Sequence, residues 1–336
     1  MTVLFKGKIN IPWLIVFLVM IVVMSIPLIT SDNLALSLII TAAVWSVATM
    51  GFSFILRTGQ FSLGQAGLMM IGGYTSALLC SKLGVSFFLS LPLAGLMAAL
   101  VAFLIGMVVL RLGGIYFAII TLALGEILRV VADQWQSLTG GALGLAVPPP
   151  APLVIGGLTI NFVTSNVPYY YIAVLIVIIS ALVYWRMDAS PLGRTFRSVA
   201  VNPVLAEHQG IYLMKYRVMA FTVAGFFTGI VGAFFANNLH YIGPHVFGFG
   251  ASVQIVMMTM IGGMSSVVFG PIIGATVLSM LSTYISFMGI AGLVPLLFGG
   301  LVLAFLLIFR GIGIGDIVML FIMKLRIKIR ERLQRA

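Results

Sequence analysis

The stretch LALSLIITAAVWSVATMGFSFIL, residues 34–56, runs without a charged side chain. A helix of about 20 residues, rising 1.5 Å per residue, crosses the roughly 30 Å of hydrocarbon in a bilayer, so this stretch reads as a membrane span. It does not alternate polar and apolar residues, which excludes a membrane β-barrel strand. Outward from it, hydropathy and helix breakers give ten candidate spans: 11–30, 34–56, 61–81, 86–110, 115–132, 169–187, 217–239, 252–269, 271–288 and 291–309. Composition agrees, since 62% of the 336 residues are hydrophobic and 7% charged, against about a quarter charged in soluble domains. The 37 glycines would weaken a soluble helical protein but suit closely packed membrane helices. The fold class is therefore an all-α integral membrane protein of about ten transmembrane helices.

The net charge of +11 does not point to nucleic acid, because the Lys and Arg residues sit in loops and at the C-terminus. With an even number of spans and the N-terminus inside, every Lys and Arg falls on the cytoplasmic side except Lys82 and Arg129. That is the positive-inside bias, and it places both termini on the cytoplasmic side. Lys6 and Lys8 precede an apolar run too long for a signal peptide and without a small-residue cleavage site, so the run reads as an uncleaved first span. Residues 1–316 then form one transmembrane domain, with a long extracytoplasmic loop at 133–168 and a cytoplasmic loop at 188–216. The outer loop holds Gly140, Gly141, Gly144 and Pro148, Pro149, Pro150, the mark of an irregular ordered connection. The tail, 317–336, interleaves Lys324, Arg326, Lys328, Arg330, Arg332 and Arg335 with Leu and Ile, a basic amphipathic pattern attracted to anionic lipid.

A short internal match pairs Met70, Ile71, Gly72, Gly73, Tyr74, Thr75, Ser76 with Met260, Ile261, Gly262, Gly263, Met264, Ser265, Ser266. The two segments lie on oppositely directed spans, as an inverted repeat of spans 2–5 and 7–10 would place them, and coincidence in a Gly- and Met-rich chain does the same. Gly72, Gly73, Gly262 and Gly263 read as mid-span positions, serving either close helix packing or, with Thr75 and Ser265, the lining of a translocation path. In the inner loop, Ser190 before Pro191 and Asn202 before Pro203 each read as an N-cap and first helical residue, with Gly210 as a stop. Leu192, Phe196 and Val199 fall on one apolar stripe of the first short helix, with Gly193, Arg194, Arg197 and Ser198 covering much of the rest. Such a helix lies flat on lipid or docks in a partner's groove.

Five stretches in order resemble the permease subunits of branched-chain amino acid ABC importers, the hydrophobic amino acid uptake group. They are Gly59-Gln60-Phe61-Ser62-Leu63-Gly64-Gln65-Ala66-Gly67; Tyr116-Phe117-Ala118 with Thr121 through Arg129; Leu138 through Leu145; Ser190-Pro191-Leu192-Gly193-Arg194, continuing through Gly210-Ile211 to Phe221; and Ile261-Gly262-Gly263-Met264 with Gly270 through Ala275. The resemblance runs from about residue 34 to 316. It implies a homologous permease partner, two cytoplasmic ATPases, an extracytoplasmic solute-binding protein, and an inner loop that forms coupling helices docked on an ATPase. It also implies ATPase-coupling roles for Leu192, Gly193, Arg194, Phe196, Arg197, Val199, Glu207 and Gly210. The chain departs from the family at Ala200, Val201, Asn202 and Pro203, where charged residues are common, leaving Arg194, Arg197 and Glu207 as charged candidates.

Glu126 and Arg129, spaced i, i+3 near the outer end of span five, read as a mutual ion pair or as a polar gate beside the path. His240 and His245 have no carboxylate or thiol near them in sequence, and Cys80 stands alone, so no metal, disulfide or cofactor is expected. A Walker A sequence is missing, which puts ATP hydrolysis on separate subunits. A urea or short-amide permease of the same class would read alike. An ion-coupled secondary transporter would bury more ionisable groups than Glu126 and Arg129.

Overall fold

The computed structural model describes residues 33–151, 153–155, 158–160, 162, 165–287, 299–300 and 313. The expected first span at 11–30 and the tail at 317–336 lie outside them, as does the tenth span apart from Gly299 and Gly300. Among the described residues, seven long helices make up the bundle: α1 (Asn33–Leu56), α2 (Gln65–Leu83), α3 (Phe87–Val109), α4 (Ile115–Gln134), α6 (Val167–Ala189), α9 (Leu213–Leu239) and α11 (Phe269–Phe287). The 14-residue α10 (Phe249–Gly262) precedes α11. Short helices α5 (Gln136–Thr139), α7 (Pro191–Val201) and α8 (Pro203–His208) lie in the two long connections. By length and composition α1, α3, α4, α6 and α9 are each able to cross a membrane. The chain is thus an all-α multi-pass membrane protein.

α9 is enclosed between α2 and α3, and glycine makes that possible. A Cβ on Gly72 would collide with the carbonyl oxygen of Gly229, and one on Gly232 with that of Met69. On the other side of α9, Gly225 and Gly229 meet Ala102 and Ala98 of α3. With no hydrophobic driving force between helices inside lipid, such backbone-to-backbone approach supplies the van der Waals contact that holds the seam. The opposite face of α3 carries Leu89, Leu93, Leu96, Leu100, Leu104 and Val108, all exposed, at the helical spacing of a lipid-facing stripe. α1 packs on α6, α9, α10 and α11, and its Phe54 meets Tyr184 of α6 with ring centroids 5.0 Å apart.

The connection between α4 and α6 carries short strands the sequence did not announce. β1 (Leu145–Ala146) pairs antiparallel with β4 (Tyr241–Ile242) just after α9, and β2 (Leu153–Ile155) forms a hairpin with β3 (Leu158–Ile160). The expected eighth span needs correction. α10 stops at Gly262, because Gly263 takes φ +104°, a conformation an L side chain rarely adopts. Residues 263–268 are irregular before α11 begins at Phe269. Gly72 and Gly73, the partners of Gly262 and Gly263 in the short internal match, instead lie inside a continuous α2.

Candidate functional site

The connection between α6 and α9 folds as its punctuation predicts. The Ser190 hydroxyl accepts from Leu192 N–H at 3.2 Å and caps α7, and the Asn202 side-chain oxygen accepts from Leu205 N–H at 3.0 Å and caps α8. Gly210, at φ +79°, ends the second helix, and its N–H donates to the Glu207 carbonyl at 2.9 Å. Gly193 sits so close to the Asp188 carbonyl that any Cβ would overlap it, which lets α7 fold back tightly against the end of α6.

Two of the three stripe residues, Phe196 and Val199, face inward, contrary to the expectation that the stripe fills a partner's groove, while Leu192 is exposed. Phe196 is 0% exposed and packs edge-on to Phe54 of α1 at 5.5 Å and to Tyr216 of α9 at 6.3 Å. Val199 is buried with Ala206 and Leu213. Both residues are therefore held by the chain's own core, and α7 is riveted to the bundle through them. What the two helices present outward is a different set: Leu192, Val201, Val204 and Leu205 are exposed, with Arg194 and Glu207 among them. Tyr212, exposed, follows α8. The sequence reading missed Val201, Val204 and Leu205. Val201 lies within the departure at 200–203, and Val204 and Leu205 follow it directly.

An ion-pair group beneath α7 was also missed. The Arg197 guanidinium donates to the Asp188 carboxylate at 2.7 Å and to its carbonyl at 3.3 Å. Arg57, just past the end of α1, brings its Nε within 3.8 Å of the same carboxylate and donates through Nη2 to the carbonyl of Ser265. Ser265 lies in the irregular segment after α10. Gly59 reaches α7 from the other side, its Cβ position 3.0 Å from Ala200 Cα. The end of α1, the end of α6, α7 and the α10–α11 connection thus meet at one end of the bundle.

At the opposite end, Arg129 and Glu126 form the expected mutual pair, Nε to Oε2 2.7 Å. Their side chains are 25% and 34% exposed, and they lie against Gly248, the N-cap residue just before α10. His245 does have a carboxylate neighbour, which corrects the sequence reading: Asp133, at the far end of α4, stands 3.6 Å away. Among the described residues no group of three or more His, Cys, Asp and Glu gathers as a metal site. Gly72 and Gly73 are buried where α2 meets α9, close enough that a Cβ on Gly72 would overlap the Gly229 backbone. Thr75 borders an open apolar groove of about 670 Å³ between α2 and α3, with Lys82 and Leu138 at its rim. Gly262 is buried against Gly270, while Ser265 is exposed.

Residues 34–310 match the family described as "Branched-chain amino acid transport system / permease component". The chain belongs to this permease family. It is 31% identical over 243 residues to LivM of Escherichia coli K12, a high-affinity branched-chain amino acid transport system permease protein, covering 66% of this chain and 57% of LivM. It is 31% identical over 242 residues to LivM of Salmonella typhimurium, with the same coverage. The guanosine ABC transporter permease protein NupQ of Bacillus subtilis is 27% identical over 214 residues, 60% of this chain and 66% of NupQ. The chain therefore spans less than two thirds of the length of the LivM proteins it matches. No solved structure matches it.

Proposed function

We propose that the chain is the membrane-spanning permease subunit of an ATP-driven ABC importer for branched-chain or other hydrophobic amino acids. The observation that carries this reading is the α7–α8 elbow: two capped helices outside the spans, anchored inward by Phe196, with an apolar surface of Val201, Val204 and Leu205 turned outward. An apolar centre bordered by Arg194 and Glu207 suits a protein groove better than open water. The occupant is a cytoplasmic ATPase, one of two, and its movement on binding ATP tilts α7 and α8 and with them the bundle. A homologous permease subunit completes the path, and an extracytoplasmic binding protein delivers the solute. ATP hydrolysis belongs to the ATPases. An apolar amino acid zwitterion fits a bundle with few fixed charges, Glu126 and Arg129 supplying a polar pair near the outer mouth.

The arrangement proposed is ten spans with both termini cytoplasmic, an inverted repeat of spans 2–5 and 7–10, and a basic tail on anionic lipid in a bacterial-type inner membrane. The test is uptake by proteoliposomes holding this chain, its permease partner, the ATPases and the binding protein. ATP-dependent uptake of leucine, isoleucine or valine is the expected result. Uptake of urea, a short amide or guanosine in their place reassigns the solute. Uptake by this chain alone, driven by an ion gradient, overturns the ABC reading.

A further inference from the structure

We infer that Asp188 and Arg57 form the joint that carries movement of α7 to the break between α10 and α11. The inference rests on the proposed docking of an ATPase on the α7–α8 elbow. α7 is fixed to α6 and α1 by Phe196 and by the tight approach of Gly193, so it moves as part of the inner end and not as a loose flap. Asp188 lies directly under it and holds two guanidinium groups. Arg197 closes the local clasp between α6 and α7. Arg57 leads elsewhere: the same guanidinium that faces Asp188 donates to the Ser265 carbonyl, two residues beyond Gly263. Ser53, one turn back on α1, adds a 3.5 Å contact from its hydroxyl to the Ser266 carbonyl.

The segment at the far end of this link is built to respond. Gly263 at φ +104° ends α10, and Gly262 and Gly270 meet backbone to backbone, so a change in the 263–268 path alters how α10 and α11 pack. A planar guanidinium suits the joint because one edge faces the carboxylate at 3.8 Å while Nη2 donates to the Ser265 carbonyl, a two-sided arrangement that the compact ammonium of a lysine does not reproduce. Asp188 and Arg57 are thus positioning residues; neither need touch the solute.

The experiment places a reporter at Met264→Cys, an exposed position inside the connection, in a chain whose single cysteine is removed by Cys80→Ser. Thiol labelling is followed in the assembled complex with and without ATP. In the parent, ATP is expected to change the labelling rate by about tenfold, the factor one charge-assisted hydrogen bond supports. Asp188→Asn and Arg57→Gln should bring that ratio near one while the ATPases still co-purify. Arg197→Gln, which opens only the local clasp, should keep it. Arg57→Lys, a milder change for the case that Arg57→Gln fails to insert, should also flatten the response. A full ATP response in Arg57→Gln or Arg57→Lys overturns the joint, as does loss of response in Arg197→Gln equal to that in Arg57→Gln. A parent that labels identically with and without ATP, its ATPases bound, overturns the joint and leaves the docking intact. Failure of the parent to bind ATPases at all brings down the proposed function first and the joint with it.

Discussion

The α2–α9–α3 seam and the inner end around α7 hold helices together by opposite means. In the seam, backbones meet directly through Gly72, Gly229 and Gly232 with no side chain between them. At the inner end, helices are joined by long side chains: Phe196 among aromatic rings, and Arg57 and Arg197 around Asp188. Contacts between backbones tolerate almost no displacement, whereas a guanidinium and a carboxylate stay paired over a range of angles. The seam is suited to remain one body while the inner end shifts.

That contrast breaks most visibly in the seam. Gly72→Leu drives a branched side chain into the Gly229 backbone and should destabilise by at least about 3 kcal/mol, at the upper end of overpacking costs. Little monodisperse protein should survive extraction, and a normal unfolding temperature for it would mean the seam yields. Phe196→Ala is expected to be comparably severe, about 3–5 kcal/mol, because it empties a site enclosed by Phe54 and Tyr216. Thermal unfolding in detergent measures it, and stability equal to the parent's would return Phe196 to a surface role. Leu205→Asp should spare insertion and folding while costing about 2 kcal/mol of ATPase docking, a drop of roughly thirtyfold in affinity. Pull-down of the ATPases compares it with Phe196→Ala and sharpens the division between anchor and docking face. Smallest is Arg129→Gln, where loss of a partly exposed ion pair should shift stability by no more than about 1 kcal/mol. A larger shift there would show that the outer end depends on charge as the inner end does.

Much of this was legible beforehand, and the omissions share a cause. Spans such as 34–56 follow from length and hydropathy alone, because lipid imposes both on any helix that crosses it. Caps at Ser190 and Asn202 are local chemistry and were read correctly. The periodicity of Leu192, Phe196 and Val199 marks a face but not what that face meets. A core and a partner's groove ask for the same residues, and Leu192 in fact lies exposed. Gly72-Gly73 and Gly262-Gly263 look alike in sequence. One pair stays helical because α9 packs against it, and the other ends a helix where Gly270 approaches. Asp188, Arg57 and Ser265 lie far apart along the chain, so only the fold brings them together, just as it brings Asp133 to His245.

The brevity of α10 has an electrical consequence. Its 14 residues reach about 21 Å, short of the roughly 30 Å hydrocarbon layer. Either the bilayer thins around it, or water and polar protein groups enter beside the irregular backbone at 263–268. Either adjustment would narrow the insulating layer beside a helix of this length, and the membrane voltage would then fall over a shorter distance there than across α9.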